Sequence, residues 1–461
     1  MLTLKQFTLS TALILAGCTS LAPVYQRPER PVPQQFSRSH NTLVAVTAGY
    51  QESGWRRFFI DPRLQALIDQ ALRYNRDVKM AALNVQEARA RYRVTDADRY
   101  PQLNATTDVT WQGGISAPRD TRREITAGGE LRVDLDFFGR LKNMSEAERE
   151  TVFASEETQR AVHILLIADV SQRYFSLRLA DGQLRIAREA LKNYQQSYAF
   201  IGQQLKTGSS TLLAVEQARG AIDSIQAEIA RREGEHALAN SALQLVIGRY
   251  SGLPAVPGET ENVLSPVTLP PGLSSDILLQ RPDILAAEHQ LRGAEASIGA
   301  ARAAFFPAIS LTGGLSTASP ALSDLFSAGS GLWRFLPQVD LPLFNAGRNR
   351  ANLQLAEVRQ QQAVIAYEQK IQTAFKEVAD ALAQRESLSG QLIAQQRYLA
   401  SLNITQLRAS ALYASGSVSY LEVLDAQRSL FTTRQNLLDL IYARDVNEVA
   451  LYAALGGGWA E

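Results

Sequence analysis

LDFFGRLKN, Leu135 to Asn143, returns as LPLFNAGRN at Leu341 to Asn349. Leu135 and Leu341 are 206 positions apart, as are Phe138 and Phe344; the glycines after them, Gly139 and Gly347, are 208 apart. The offsets persist on either side. At 206, Asp77 pairs with Asp283, Ala88 with Ala294, and Tyr100-Pro101 with Phe306-Pro307. At 208, Gly208-Ser209 pairs with Gly416-Ser417, Val215 with Val423, Leu243 with Leu451 and Gly248 with Gly456. A tandem duplication with one two-residue insertion accounts for every match, and a long fixed period marks a repeated structural unit.

The two repeats span 61–250 and 273–456, with a proline-marked linker at 251–272 and a tail at 457–461. Each opens with a helical segment, Asp77 to Arg99 and 283–305, that reaches a proline, which cannot continue a helix. Strands follow at 102–114 and 124–137, then at 308–318 and 332–343. Long proline-free regions come last, with apolar residues at helical spacing, such as Val364, Ile371, Phe375, Val378 and Leu382. They predict helices at 141–206 and 212–247 and again at 348–413 and 420–455. A helix of some 65 residues is about 98 Å long, which suits a spanning role better than a globular one.

The strand regions alternate. Leu131, Val133 and Leu135 interleave with Glu130, Arg132, Asp134 and Asp136, while Val339 and Leu341 flank Asp340. Segments of about ten residues, apolar on one face and polar on the other, match outer-membrane barrel strands. A soluble sheet with one wet face has the same period. On the barrel reading, four strands cannot close, because a bilayer offers no partner to an open edge. Three chains would supply twelve strands; periodicity alone does not choose three over two.

The start of the chain bears on this choice. Lys5 and the apolar run Phe7 to Leu15 form a secretory signal over 1–17, too short to span as a membrane helix. Leu15-Ala16-Gly17-Cys18 resembles the bacterial lipobox, so Cys18 is the expected lipidation site, leading into an extended tether over 18–60. It is the only cysteine, which excludes disulfides. With 47 basic and 46 acidic residues the net charge is +1, and nothing points to nucleic acid. The four histidines share no ligand spacing. Once Met1 leaves with the signal, Met80 and Met144 are the only methionines, so neither a metal site nor a cofactor beyond the lipid is expected. No catalytic constellation stands out, and an enzyme is not expected.

The lipobox, the LDFFG and LPLFNAGR pair, ILLQRPDILAAE at Ile277 to Glu288, AARAAFFPAISL at Ala300 to Leu311 and YLEVLDAQRSLF at Tyr420 to Phe431 together resemble the TolC-like outer-membrane factors. VPQQF at Val32 to Phe36 and TDADRYPQLN at Thr95 to Asn104 resemble the copper- and silver-efflux lipoproteins among them. That resemblance implies a mainly α protein with a transmembrane β part: a homotrimer whose twelve-stranded barrel in outer-membrane lipid continues into a periplasmic α-helical barrel. It implies two partners, a periplasmic membrane-fusion adaptor and an inner-membrane transporter of the resistance-nodulation-division class. The adaptor would meet the helix turns at Gly208, Ser209, Gly416 and Ser417. Leu421, Asp425 and Arg428 would form a periplasmic gate, although Asp425 and Arg428, three apart on a helix, also fit a weak surface ion pair. Glu130, Asp134, Asp136 and Asp340 would line the barrel lumen. A multidrug duct of the same fold and a structural envelope-spanning lipoprotein remain alternatives.

Overall fold

The structure, a computed structural model, describes residues 20–36, 54–114, 117–250, 263–265 and 273–457, with backbone only at 117–120. The signal, Cys18 and most of the linker lie outside the described residues. A single helical turn at Trp55–Phe58 precedes α1 (Pro62–Tyr74) and α2 (Arg76–Ala97). Strands β1 (Gln102–Gly114) and β2 (Ala117–Leu135) come next, then α3 (Arg140–Lys206) and α4 (Leu212–Ile247). The second repeat supplies a short 3-10 turn at Ser275–Gln280, α5 (Pro282–Ala303), β3 (Ala308–Ser319), β4 (Gly331–Asp340), α6 (Arg348–Ala414) and α7 (Tyr420–Ala454).

The duplication is visible residue by residue. Helix α5 repeats α2 at an offset of 206, whereas α6 repeats α3 at 208, at both ends in each case. The strand register locates the insertion. Gln102 pairs with Arg132 and Ala308 with Asp340, so β3 is offset from β1 by 206 while β4 is already offset from β2 by 208. The extra residues therefore sit inside the second hairpin, and Leu135 is level with Leu343 rather than with Leu341. The sequence match of Phe138 to Phe344 is displaced by two.

Chain reversals use the left-handed region that glycine enters without a Cβ penalty. Gly139 and Gly347, Gly208 and Gly416, and Gly248 and Gly456 all have positive φ, between 70° and 95°. Ala346, at φ 52°, is the one non-glycine there among the described residues.

Three local features differ from expectation. Strand β2 begins seven residues before 124, at Ala117. Helix α1 was not expected, although Asp61 caps it by accepting the Arg63 N–H at 2.9 Å and Pro62 opens it. Asn75 then turns the chain into α2. Its side-chain oxygen accepts from the Asp77 N–H at 2.7 Å, and its amide donates to the Val246 carbonyl at 2.8 Å.

The chain forms two compact units, each drawn from both repeats: Met1–Arg30, Leu83–Thr158 and Asp283–Lys370, and Pro31–Ala82, Gln159–Pro282 and Ile371–Glu461. In the second unit, Tyr452 stacks on Phe58 at 4.6 Å and meets the edge of Phe59 at 5.6 Å. The buried Tyr174 hydroxyl donates to Asp61 at 2.6 Å. The first unit holds the four-stranded antiparallel sheet, ordered β1-β2-β3-β4.

Its register sorts the side chains onto two faces. One face carries Leu103, Val109, Trp111, Leu131, Leu311, Leu315, Trp333, Phe335 and Val339; the other carries Gln102, Asn104, Glu130, Arg132, Asp134, Ser310, Arg334 and Gln338. The apolar face is bare, with Leu103 75% and Trp333 79% exposed. Outer edges of β1 and β4 have no strand partner among the described residues. No described helix is both long and apolar enough to cross a membrane.

Candidate functional site

The α3–α4 and α6–α7 turns are built alike. In the first, the Ser209 N–H donates to the Gln204 carbonyl at 2.8 Å and the Gly208 N–H to that of Leu205 at 3.1 Å. In the second, Ser417 donates to Leu412 at 2.8 Å and Gly416 to Tyr413 at 2.9 Å. This is the glycine-capped helix end that satisfies the last carbonyls. Gly208, Ser209, Gly416 and Ser417 are all exposed. Entry into the next helix differs between the two turns: Thr211 caps α4 by accepting the Ala214 N–H at 3.3 Å, whereas Ser419 makes no such bond to α7.

Behind the turns the two hairpins pack through Tyr194, Ile201, Ala214, Ala218, Tyr420 and Leu424. The Tyr413 hydroxyl donates to Gln204 at 2.8 Å, and its ring lies 5.7 Å from Tyr420. Burial pushes the Tyr420 phenol up to about 12, with Arg428 pulling the other way. Tyr194 shifts upward for the same reason. The Tyr420 hydroxyl and Gln427 Oε1 are buried without a partner. Gln427 borders a cavity of about 350 Å³ between α3, α6 and α7, lined also by Tyr194, Ser197, Gln406 and Arg434.

Helix α7 begins at Tyr420 and turns Tyr420, Val423, Leu424 and Ala426 inward. Leu421, Asp425 and Arg428 share the opposite face through spacings of four and three residues, and all three are exposed, Leu421 to 55%. No ion pair joins Asp425 to Arg428 among the described residues. The face thus presents an apolar side chain, a carboxylate and a guanidinium that nothing in the same chain covers. Sequence reasoning named these three and missed the tyrosines behind them, although YASGSVSY, Tyr413 to Tyr420, brackets the second turn with aromatics.

The candidate lumen carboxylates separate. Glu130 and Asp134 lie on the polar face of β2, with Glu130 level with Asn104 and Gly314, and Asp134 with Ser310; Asp340 ends β4 opposite Ala308. Asp136 has a second role. It lies just beyond the end of β2 and accepts the Lys142 N–H at 2.7 Å, capping α3. A helix start needs an acceptor there more than a strand needs another polar residue. Asp134, Asp136 and Asp340 border one cleft of about 370 Å³ with Arg132 and Arg140. No group of three His, Cys, Asp or Glu able to hold a metal occurs among the described residues.

The N-terminal segment is fastened where sequence periodicity offers no signal. Ser20 donates to Asn143, at the start of α3, at 2.7 Å. Glu288 on α5, 2% exposed, accepts from Tyr25 at 2.9 Å, from Arg27 at 2.8 and 3.0 Å, and from Arg292 at 2.6 Å. Burial would raise the Glu288 carboxyl, but the Arg27 and Tyr25 bonds outweigh it and hold it below its ordinary value. Cys18 itself lies outside the described residues.

Comparison with known proteins tracks this architecture along its length. The family profile described as "Outer membrane efflux protein" matches residues 67–249 and 273–457. "Probable outer membrane lipoprotein SilC" of Salmonella typhimurium is 63% identical over all of both chains. "Cation efflux system protein CusC" of Escherichia coli K12 is 62% identical over 98% of this chain and 99% of its own. A CusC crystal structure, from work on folding and transmembrane channel formation, matches with a TM-score of 0.90 at 62% identity, covering 95% of this chain and 100% of its own. The open state of the Neisseria gonorrhoeae MtrE outer membrane channel matches with a TM-score of 0.88 at 35% identity, covering 96% and 99%.

Proposed function

The chain belongs to the outer membrane efflux protein family, and on that premise we propose that it is the outer-membrane exit duct of a tripartite efflux system, passively conducting copper and silver ions out of the cell. Three copies close the sheet into a twelve-stranded barrel. The bare apolar face of that barrel meets lipid and its polar face lines the lumen, with the helices continuing as a periplasmic tube. Lipid on Cys18 anchors each chain. Ser20 is tied to the start of α3, and Cys18 is two residues away, within about 7 Å of chain reach, so the lipid would enter near the strand-to-helix junction.

A proton-driven inner-membrane transporter loads the duct through a periplasmic adaptor, which meets the turns at Gly208-Ser209 and Gly416-Ser417. Leu421, Asp425 and Arg428 form the gate. Three-fold symmetry makes each carboxylate one of a ring, able both to select cations and to hold a closed tip through pairs between chains.

One observation carries this reading: an amphipathic sheet with both edges open, joined to two helices of 67 residues. A bilayer can hold such a sheet only if further copies complete it. Likeness to SilC and CusC supports the cargo. Soft copper and silver ions favour thiolate and thioether ligands, of which the sequence offers one cysteine and three methionines, so selection would lie with the partners.

The test has two arms. Purified protein in planar bilayers should open discrete conducting channels; none would leave a structural lipoprotein as the better reading. A deletion strain should lose silver and copper tolerance while keeping drug tolerance, and the reverse pattern would make this a multidrug duct.

A further inference from the structure

The two repeats can be compared at the corner between α1 and α2. Asn75 turns the chain there, and its amide donates to the Val246 carbonyl near the end of α4. At offsets of 206 and 208 the equivalent pair is Arg281 and Ala454, and the Arg281 guanidinium donates to the Ala454 carbonyl at 2.8 Å. Gly248 and Gly456, two residues further on, both have positive φ. A Cβ on Gly248 would come within 2.7 Å of the Tyr74 carbonyl oxygen, so its absence lets the end of α4 press on the corner. The corner is therefore built by residues with counterparts in both copies.

The residues around it have none. In the first copy Arg249 lies over the Tyr74 ring at 5.4 Å and Lys79 at 5.9 Å. Arg73, Tyr74 and Arg249 border a cleft of about 410 Å³ between α1 and the end of α4. Asp69 is the one carboxylate in its lining, and Arg56 pairs with it at 2.7 Å. Arg73, Lys79 and Arg249 make no ion pair among the described residues. Tyr250, 75% exposed, follows Arg249. In the second copy, Leu279, Gln280, Leu285 and Gly457 stand at the positions of Arg73, Tyr74, Lys79 and Arg249. The corner folds without these cations, which leaves them free for another task.

We propose that this cleft binds the cell wall, taking carboxylates of peptidoglycan stem peptides on Arg73, Arg249 and Lys79 and the adjoining sugar against Tyr250. The proposal rests on the periplasmic tube proposed above and adds a partner that the duct crosses. A guanidinium stacked on a ring keeps its N–H edge free for a carboxylate. The volume falls within the range of small-ligand clefts and suits a sugar with part of its stem. Tyr74 is the only large apolar side chain in the lining, so the cleft lacks the cluster of buried anchors that carries a protein interface. It offers no greasy surface to a lipid chain either. About 54 Å of α4, 36 residues, separates it from the turn at Gly208-Ser209, which puts it well away from that tip.

The test uses the full chain in detergent and purified sacculi. Wild-type protein should sediment with sacculi, less so as salt rises, because exposed charges are screened. Arg73→Glu/Arg249→Glu should cut the bound fraction at least tenfold at low salt while conducting in planar bilayers like wild type. Arg73→Gln/Arg249→Gln, which removes charge without reversing it, should also bind less and guards against a folding defect. Sacculi stripped of stem peptides by an amidase should hold little wild-type protein.

Equal sedimentation of wild type and both variants would overturn the proposal, as would full binding to stripped glycan. Wild-type protein that conducts but never sediments would remove the cell-wall site and leave the duct reading standing. Protein that sediments as expected but never conducts would do the reverse. If the charge variants keep their hold on sacculi and instead lose a co-purifying acidic protein, the cleft serves that protein and the cell-wall assignment is wrong.

Discussion

Glu288→Gln is the sharpest test of how the N-terminal segment is held. The carboxylate accepts four hydrogen bonds from Tyr25, Arg27 and Arg292, and its side chain is 3% exposed. Hydrogen bonds to a charged group contribute about 1.5–3 kcal/mol each when buried. Arg27 and Arg292 keep 46% and 38% of their side chains in water, so their share is screened towards the value of surface pairs, about 0–1 kcal/mol. Glutamine retains one carbonyl acceptor and the shape of the site. The expected net loss is about 2–3 kcal/mol, a shift of about 30- to 140-fold in local opening, because 1.4 kcal/mol corresponds to a factor of ten.

Chymotrypsin reads this opening directly, because Tyr25 must leave Glu288 before the bond after it can be cut. Trypsin does not serve, since Arg27 and Arg30 both precede proline. Cleavage after Tyr25 in detergent-solubilised protein should accelerate by about that factor while sites in α4 keep their rate. An unchanged rate at Tyr25, or equal acceleration everywhere, would refute the assignment of Glu288 as the clasp.

The same clasp should respond to acid. Since the Glu288 carboxyl lies below its ordinary 4.5 in the folded chain, its stabilisation is complete above that value and is lost as pH falls through the lowered one. Pepsin cleavage near Tyr25 should rise over that range in wild type and stay flat in Glu288→Gln. Gly128→Val should abolish barrel assembly, scored as heat-modifiable oligomer, because even a Cβ there would lie 2.5 Å from that of Ser316 and 2.6 Å from the Leu315 carbonyl oxygen. Ala346→Gly should leave stability unchanged or raise it by up to about 1 kcal/mol, since a left-handed alanine costs about 1–2 kcal/mol and glycine returns part of that as chain entropy; a clear fall in melting temperature would count against the strain at φ 52°. Asp425→Ala should raise single-channel conductance and admit large antibiotics, whereas unchanged conductance would remove Asp425 from the gate.

The fold class was legible because its signals are local. Pro101 and Pro307 punctuate helices, alternation around Val133 and Val339 marks strands, and the missing prolines after Pro118 and Pro342 leave only long helices. What escaped depends on contacts or counting that composition does not encode. Tyr25 and Arg27 meet Glu288 across more than 260 residues, and neither end lies in a pattern. Asp136 continues the polar alternation of β2 and is diverted only because α3 begins a few residues later. The insertion was misplaced because LDFF and LPLF align well as letters, whereas hydrogen-bonded register counts from the hairpin. At the candidate gate, Leu421, Asp425 and Arg428 came from the family resemblance, and helical spacing adds only that they share a face; the buried tyrosines beneath them belong to a contact between hairpins far apart in sequence.

The paired left-handed glycines carry a genetic consequence. Every nucleotide change in a glycine codon that alters the residue adds a Cβ, and at positive φ that costs about 1–2 kcal/mol before any clash is counted. By copying each reversal, duplication doubled the number of such fragile codons: Gly139 and Gly347, Gly208 and Gly416, Gly248 and Gly456. It did so without making either member of a pair a spare, because both reversals occur in the same polypeptide. A duplicated chain of this kind has twice the mutational target of its ancestor at these points and no redundancy to offset it. Loss-of-function changes should therefore fall on both members of each pair at similar frequency.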